Sequence, residues 1–186
     1  MQERLKTNEK LFEGIKVYYS GSIKGAPELD PDFAWNLVQF MKEGGADVLS
    51  EHVAGRNKDE MDRVRAEKLG ITVEAFRGIP REVYVRDIIR KQDLEWVDQA
   101  THMVALVNAP SHGVGMELQE AILKPRLGLN QTPILCLIHE DVYNNLSGMV
   151  AGVSEQENPE FYVKKYKTLQ EAKDLVSNFL TGSLQK

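Results

Sequence analysis

Two runs of five residues, Met103–Val107 and Ile134–Ile138, contain no charged or strongly polar side chain. Each is far shorter than the ~20 residues a bilayer-spanning helix needs, and each suits a strand whose two faces are both buried. A strand without a wet face must lie inside a sheet covered on both sides, which in a chain of 186 residues means helices packed above and below a parallel sheet.

The rest of the chain keeps that rhythm. Further strands are expected at Ile15–Ser20, Ala46–Ser50 and Phe161–Tyr166, with the fourth running from Pro133 to Ile138. Asp30 suits a helix N-cap and Pro31 the first helical position, while Phe33, Leu37 and Met41 repeat every four residues before Gly44-Gly45 stops the helix. Arg56 to Lys68 has helical composition. From Pro80 to Ala100, Val83, Val85, Ile88, Ile89, Leu94, Trp96 and Val97 alternate with charge, as in a helix lying on a sheet. Another helix is expected from about Met116 to Pro125, a short one near Leu146–Ala151, and a last one after the capping-box pattern Thr168-Leu169-Gln170-Glu171. The expected fold is a single α/β domain, residues 15–186, with five parallel strands in the flavodoxin-like order 2-1-3-4-5 and right-handed crossovers. Residues 1–14, mostly polar, read as an extension with Leu5, Leu11 and Phe12 as scattered anchors.

Charge and cysteine content narrow the function. Twenty-three basic against 28 acidic residues leave a net charge of −5, which argues against a general nucleic-acid binder, because such binding rests on neutralising phosphates. A single cysteine, Cys136, makes no internal disulfide and sits where an inert core thiol belongs. A reduced, cytoplasmic setting is expected, with nuclear access in a eukaryote and no membrane association. The four histidines, His52, His102, His112 and His139, lack metal-ligand spacing, and neither G-x-x-x-x-G-K-[ST] nor G-x-G-x-x-G occurs, so no metal or cofactor is expected.

In such sheets ligands bind beyond the carboxyl ends of the strands, where the strand order reverses. Two loops fall there: Gly21-Ser22-Ile23-Lys24-Gly25 after the first strand, and Pro110-Ser111-His112-Gly113-Val114-Gly115 after the third. Glycines for close approach, two hydroxyls, free amides at a helix start and the Lys24 charge suit an anion such as phosphate. Glu117 follows the second loop in what reads as the first turn of a helix, where a carboxylate is held ionised and able to attack. Asp93 lies on the helix before the third strand.

Five blocks in order then carry a resemblance: Val17–Gly25, Glu51-His52-Val53-Ala54, Gln92-Asp93-Leu94-Glu95-Trp96, Pro110–Leu118 and Ile134–Leu137. From about Val17 to Gly152 the chain resembles the 2′-deoxynucleoside 5′-monophosphate N-glycosidases of the nucleoside 2-deoxyribosyltransferase superfamily. The resemblance implies cleavage of the bond between base and deoxyribose with Glu117 as nucleophile. It also implies that Tyr18 and Asp93 position nucleophile and sugar, with Asp93 able to protonate the leaving base, and that His52 and Met116 stand on the base side. Gly21, Ser22, Ile23, Lys24, Ser111 and Gly113 would hold the 5′-phosphate, completed by Ser147 from the partner subunit of a homodimer. The chain departs from the family pattern at Met116, where a tyrosine is usual, at Lys24, where an arginine is frequent, and in a longer stretch between His52 and Asp93. A deoxyribosyltransferase, a ribonucleotide hydrolase and a non-catalytic nucleotide sensor remain as alternatives on the same fold.

Overall fold

The computed structural model describes residues 10–22 and 31–186. Its strands are β1 Lys16–Gly21, β2 Asp47–Val48, β3 His102–Leu106, β4 Ile134–His139 and β5 Phe161–Tyr166. All pair in parallel, in the order β2-β1-β3-β4-β5. The helices are α1 Phe33–Glu43, α2 Lys58–Lys68, α3 Val73–Arg77, α4 Arg81–Val83, α5 Arg90–Gln99, α6 His112–Leu123, α7 Gly148–Ala151 and α8 Leu169–Leu180. Between α4 and α5 the chain winds through a π-helical segment, Tyr84–Ile89.

The two all-apolar runs are the inner strands, and their side chains divide between two cores. On one face Val17, Tyr19, Val104, Leu135 and Leu137 pack against α1 and α8 through Leu37, Met41, Val176 and Phe179. On the other Tyr18, Met103, Ala105, Cys136 and Ile138 pack against α5 and α6 through Trp96, Val97, Leu118 and Ala121. Period-two alternation along β1 therefore sends Tyr18 and Ser20 to the α5/α6 side and Val17 and Tyr19 to the other. Cys136 is fully buried and its thiol is pushed up by that burial, so it is the inert core group its sequence position suggests. His102 opens β3, also as expected.

Both outer helices end as their sequences direct. At the start of α8 the Thr168 hydroxyl accepts from the Glu171 amide at 3.2 Å, and the Glu171 carboxylate accepts from the Lys167 amide at 2.7 Å. At the end of α1, Gly45 takes φ +100°, a left-handed conformation that favours glycine. The start of α1 differs from expectation: its N-cap is Asp32, without a side-chain cap bond, and Pro31 precedes the helix instead of opening it. Asp30 lies outside the described residues.

Four more expectations are corrected. Strand β2 is two residues long rather than five, because Leu49 and Ser50 turn directly into a 3-10 turn, Glu51–Ala54. The stretch from Pro80 to Ala100 is three segments rather than one helix, and its apolar positions are divided: Trp96 and Val97 are buried, whereas Val85 is 49% exposed. Helix α6 begins at His112, four residues ahead of Met116, since the Ser111 hydroxyl caps it by accepting from the Val114 amide at 3.4 Å. Phe12 is fully buried, edge-on to Phe40 with ring centroids 5.7 Å apart, so the core reaches into the end of the polar N-terminal stretch. Among the described residues no helix is long and apolar enough to cross a membrane.

Candidate functional site

The strand order reverses between β1 and β3, so their carboxyl ends open one crevice, and α6 rises from the loop after β3. Glu117 is the sixth residue of α6, in its second turn, which removes the first-turn argument for an ionised carboxylate. Side-chain donors take that role instead. The Ser20 hydroxyl, 1% exposed at the end of β1, donates a short hydrogen bond to Glu117 Oε2. Tyr18, two residues earlier on the same face, brings its buried phenol to the same carboxylate. Burial raises the Glu117 pKa above the ordinary carboxylate value, and the Ser20 and Tyr18 hydroxyls pull it back down.

Asp93 comes to this carboxylate from α5. Burial first, then the negative charge of Glu117, push its pKa up to about 7, with Arg65 opposing. Burial thus raises both carboxyls, but the Ser20 and Tyr18 hydroxyls hold Glu117 down while the Glu117 charge pushes Asp93 further up, so the two environments are unequal. The pairing of α5 with α6 that creates this geometry is fastened by Lys124. Its ammonium, on a residue only 2% exposed, donates to Val97 O at 3.1 Å and Ala100 O at 2.9 Å, capping the end of α5 from the end of α6.

Around the pair, the structure places most of the sequence-derived residues. A Cβ added at Gly113 would stand 3.9 Å from both Glu117 Oε1 and Ser111 Oγ, so the Glu117 carboxylate, the capping hydroxyl and this glycine share one small space. Gly21 and Ser22 lie at the end of β1 beside Ser20, while Ile23 and Lys24 lie outside the described residues. Met116, on α6 next to Glu117, is 53% exposed. Ser147 caps α7 by accepting from the Met149 amide at 3.3 Å. It lines, with Ser111, an apolar cavity of about 270 Å³ between α6 and the 145–153 stretch.

His52 is 3% exposed, tilted on Trp96 with centroids 5.6 Å apart, and burial followed by the charges of Arg65 and Lys68 lowers its pKa to about 3. It is a neutral imidazole. His52, Arg65, Tyr84, Gln92, Asp93 and Trp96 enclose a narrow recess beyond Asp93.

Sequence reasoning missed Ser20 and Arg65. Ser20 could have been found as the polar residue that shares the Tyr18 face at the carboxyl end of the strand. For Arg65, inside a segment read as solvated, the sequence carries no comparable signal.

No protein-family model matches the chain. Among curated proteins, a protein of Nematostella vectensis named "Putative 2'-deoxynucleoside 5'-phosphate N-hydrolase 1" is 31% identical over 167 residues, covering 90% of this chain and 95% of that one. The chain belongs to the 2′-deoxynucleoside 5′-phosphate N-hydrolase family. The human 5-hydroxymethyl-dUMP N-hydrolase is 35% identical over 139 residues, 75% of this chain and 66% of its own. A Methanosarcina barkeri protein that shares the Nematostella name is 27% identical over 183 residues, 96% of this chain and 92% of its own. Such N-hydrolase relatives thus match between 75% and 96% of this chain.

Proposed function

We propose that this protein hydrolyses the N-glycosidic bond of 2′-deoxynucleoside 5′-monophosphates, releasing the free base and 2-deoxyribose 5-phosphate. The observation that carries the reading is the unequal carboxyl pair: Glu117 held by the Ser20 and Tyr18 hydroxyls, facing an Asp93 whose pKa is pushed up to about 7. Glycosidases that pass through a covalent intermediate use one carboxylate to attack and one carboxylic acid to protonate, separated by environment in this way.

In the first step a Glu117 oxygen bonds to C1′ as the C1′–N bond breaks, the bonding pair leaves with the base nitrogen, and the Asp93 proton neutralises it. Water then attacks C1′ from the vacated side. Its proton passes to the Asp93 carboxylate, the Glu117 ester bond breaks, and both carboxyls return to their starting states. Tyr18 keeps the nucleophile oriented. Ser22, Ser111, Gly113, Gly21, Ile23 and Lys24 bind the 5′-phosphate at the strand ends; His52 and Met116 stand toward the base.

A homodimer in which Ser147 completes the partner's phosphate site belongs to the same proposal. It is supported by Met149, 82% exposed beside the apolar cavity that Ser147 lines, which suits burial against a second copy. The test is release of free base from purified protein given deoxynucleoside monophosphates. Loss of release in Glu117→Ala, together with a trapped glycosyl ester on the wild-type carboxylate, is the expected result. Undiminished release by Glu117→Ala refutes the nucleophile, and base exchange without net hydrolysis would assign a transferase instead.

A further inference from the structure

The recess beyond Asp93 has a free volume of about 20 Å³, the space of a single water molecule or oxygen atom rather than of a nucleobase ring. Two of its lining residues carry a buried nitrogen with no hydrogen-bond partner among the described residues: Arg65 Nε and His52 Nδ1. Unmatched buried donors are rare in folded proteins and call for a partner. Arg65 also lacks any ion pair among the described residues; its guanidinium lies 5.6 Å from the Tyr84 ring centroid and presses electrostatically on both His52 and Asp93. A cation in no ion pair among the described residues, next to the proton donor of the proposed reaction, stands where negative charge develops.

We propose that Arg65 and His52 form a one-oxygen hole that receives an exocyclic carbonyl oxygen of the departing base, with Arg65 stabilising the charge that develops on it. The proposal rests on the hydrolase reading above. As the C1′–N bond breaks, the electron pair that remains on the base nitrogen delocalises onto such an oxygen, and the hole is aimed at that developing charge as an oxyanion hole is at a tetrahedral oxygen. The carbonyl accepts from Arg65 Nε–H and from the neutral imidazole in its Nδ1–H form, while Asp93 supplies the proton to the ring. Only the oxygen enters the recess; the ring stays between Asp93 and the crevice. Arg65 and Tyr84 both belong to the stretch between His52 and Asp93, Arg65 on α2 and Tyr84 at the start of the π-helical segment.

The experiment compares wild type, Arg65→Met and Arg65→Lys on 2′-deoxyuridine monophosphates bearing 5-fluoro, 5-hydrogen and 5-methyl groups, and measures binding of free 5-fluorouracil by calorimetry. Loss of an aimed donor should lower kcat/KM of Arg65→Met by roughly 100-fold on the 5-methyl substrate. The loss should be smallest on the 5-fluoro substrate, whose base departs most easily without help, so the dependence of rate on leaving-base acidity steepens. Arg65→Lys should recover part of the loss, and base binding should weaken in Arg65→Met. An equal loss on all three substrates, with base binding unchanged, overturns the proposal and leaves Arg65 a structural cation. Absence of wild-type turnover with Arg65-dependent base binding overturns the hydrolase reading and keeps the hole. Absence of both overturns both.

Discussion

Replacing Asp93 by asparagine should make the protein more stable and nearly inactive, and the stability gain should depend on pH in a defined way. The folded protein displaces this carboxyl from an ordinary 3.8 to about 7 because burial and the Glu117 charge disfavour its ionised form. A group that binds its proton more tightly when folded stabilises fully below its unfolded pKa, and that contribution is lost as pH rises through the folded pKa. At about 1.36 kcal/mol per pKa unit, ionised Asp93 costs the folded state up to about 4 kcal/mol above pH 7, a ceiling because water reaches part of the carboxyl. At pH 5 the cost is about 2 kcal/mol, and at pH 4 it is below about 1 kcal/mol. The asparagine side chain would carry no charge at any pH, so Asp93→Asn should nearly match wild type at pH 4 and exceed it by a margin that grows to pH 7 and then levels. For a chain of this length the ceiling corresponds to a Tm gain of about 8–16 °C at pH 8. Thermal or urea unfolding of the two proteins from pH 4 to pH 8 measures it. Equal stability at pH 8, or a gain that is the same at pH 4, refutes the claim that Asp93 is held protonated by its surroundings.

Other outcomes follow from the same geometry. Ser20→Ala removes a donor to ionised Glu117, worth roughly 1.5–3 kcal/mol for a charged partner, so the acid limb of the kcat/KM–pH profile should move up by about one to two pH units; an unmoved limb denies Ser20 that role. Phe12→Ala should cost about 3–5 kcal/mol in urea unfolding, as for other fully buried aromatic residues, and a loss under about 1 kcal/mol would return residues 10–14 to the status of an appendage. Cys136 should resist thiol reagents in native buffer and label at once in denaturant, and rapid native labelling would contradict its burial.

Much of this molecule is written plainly in its amino acids. Unbroken apolar runs such as Met103–Val107 suit doubly covered strands, and once five strands, two of them such runs, alternate with helices the order and handedness have few alternatives. The Pro110–Gly115 loop and Glu117 were legible because chemistry at the strand ends follows from topology, whereas Asp93 was singled out only by the family resemblance. Helix starts were less so. Ser111 competes with Met116 as the beginning of α6, and only the bond from the Val114 amide to its hydroxyl decides, which moves Glu117 from the first turn to the second. The alternation of β1 pointed to Ser20 but not to its partner 97 residues away, and Arg65 escaped because no local pattern encodes what a side chain meets across a recess. Phe12 escaped because one aromatic ring in a polar stretch gives no periodicity to read.

The wide winding at Tyr84–Ile89 gives this chain a simple evolutionary lever. An α-helical residue advances roughly 100° about the axis, so deleting a single codon there would restore ordinary winding and swing Tyr84 out of line while the downstream acid kept its station. The lining of the recess beyond Asp93 can thus change by small genetic steps without moving the carboxyl pair.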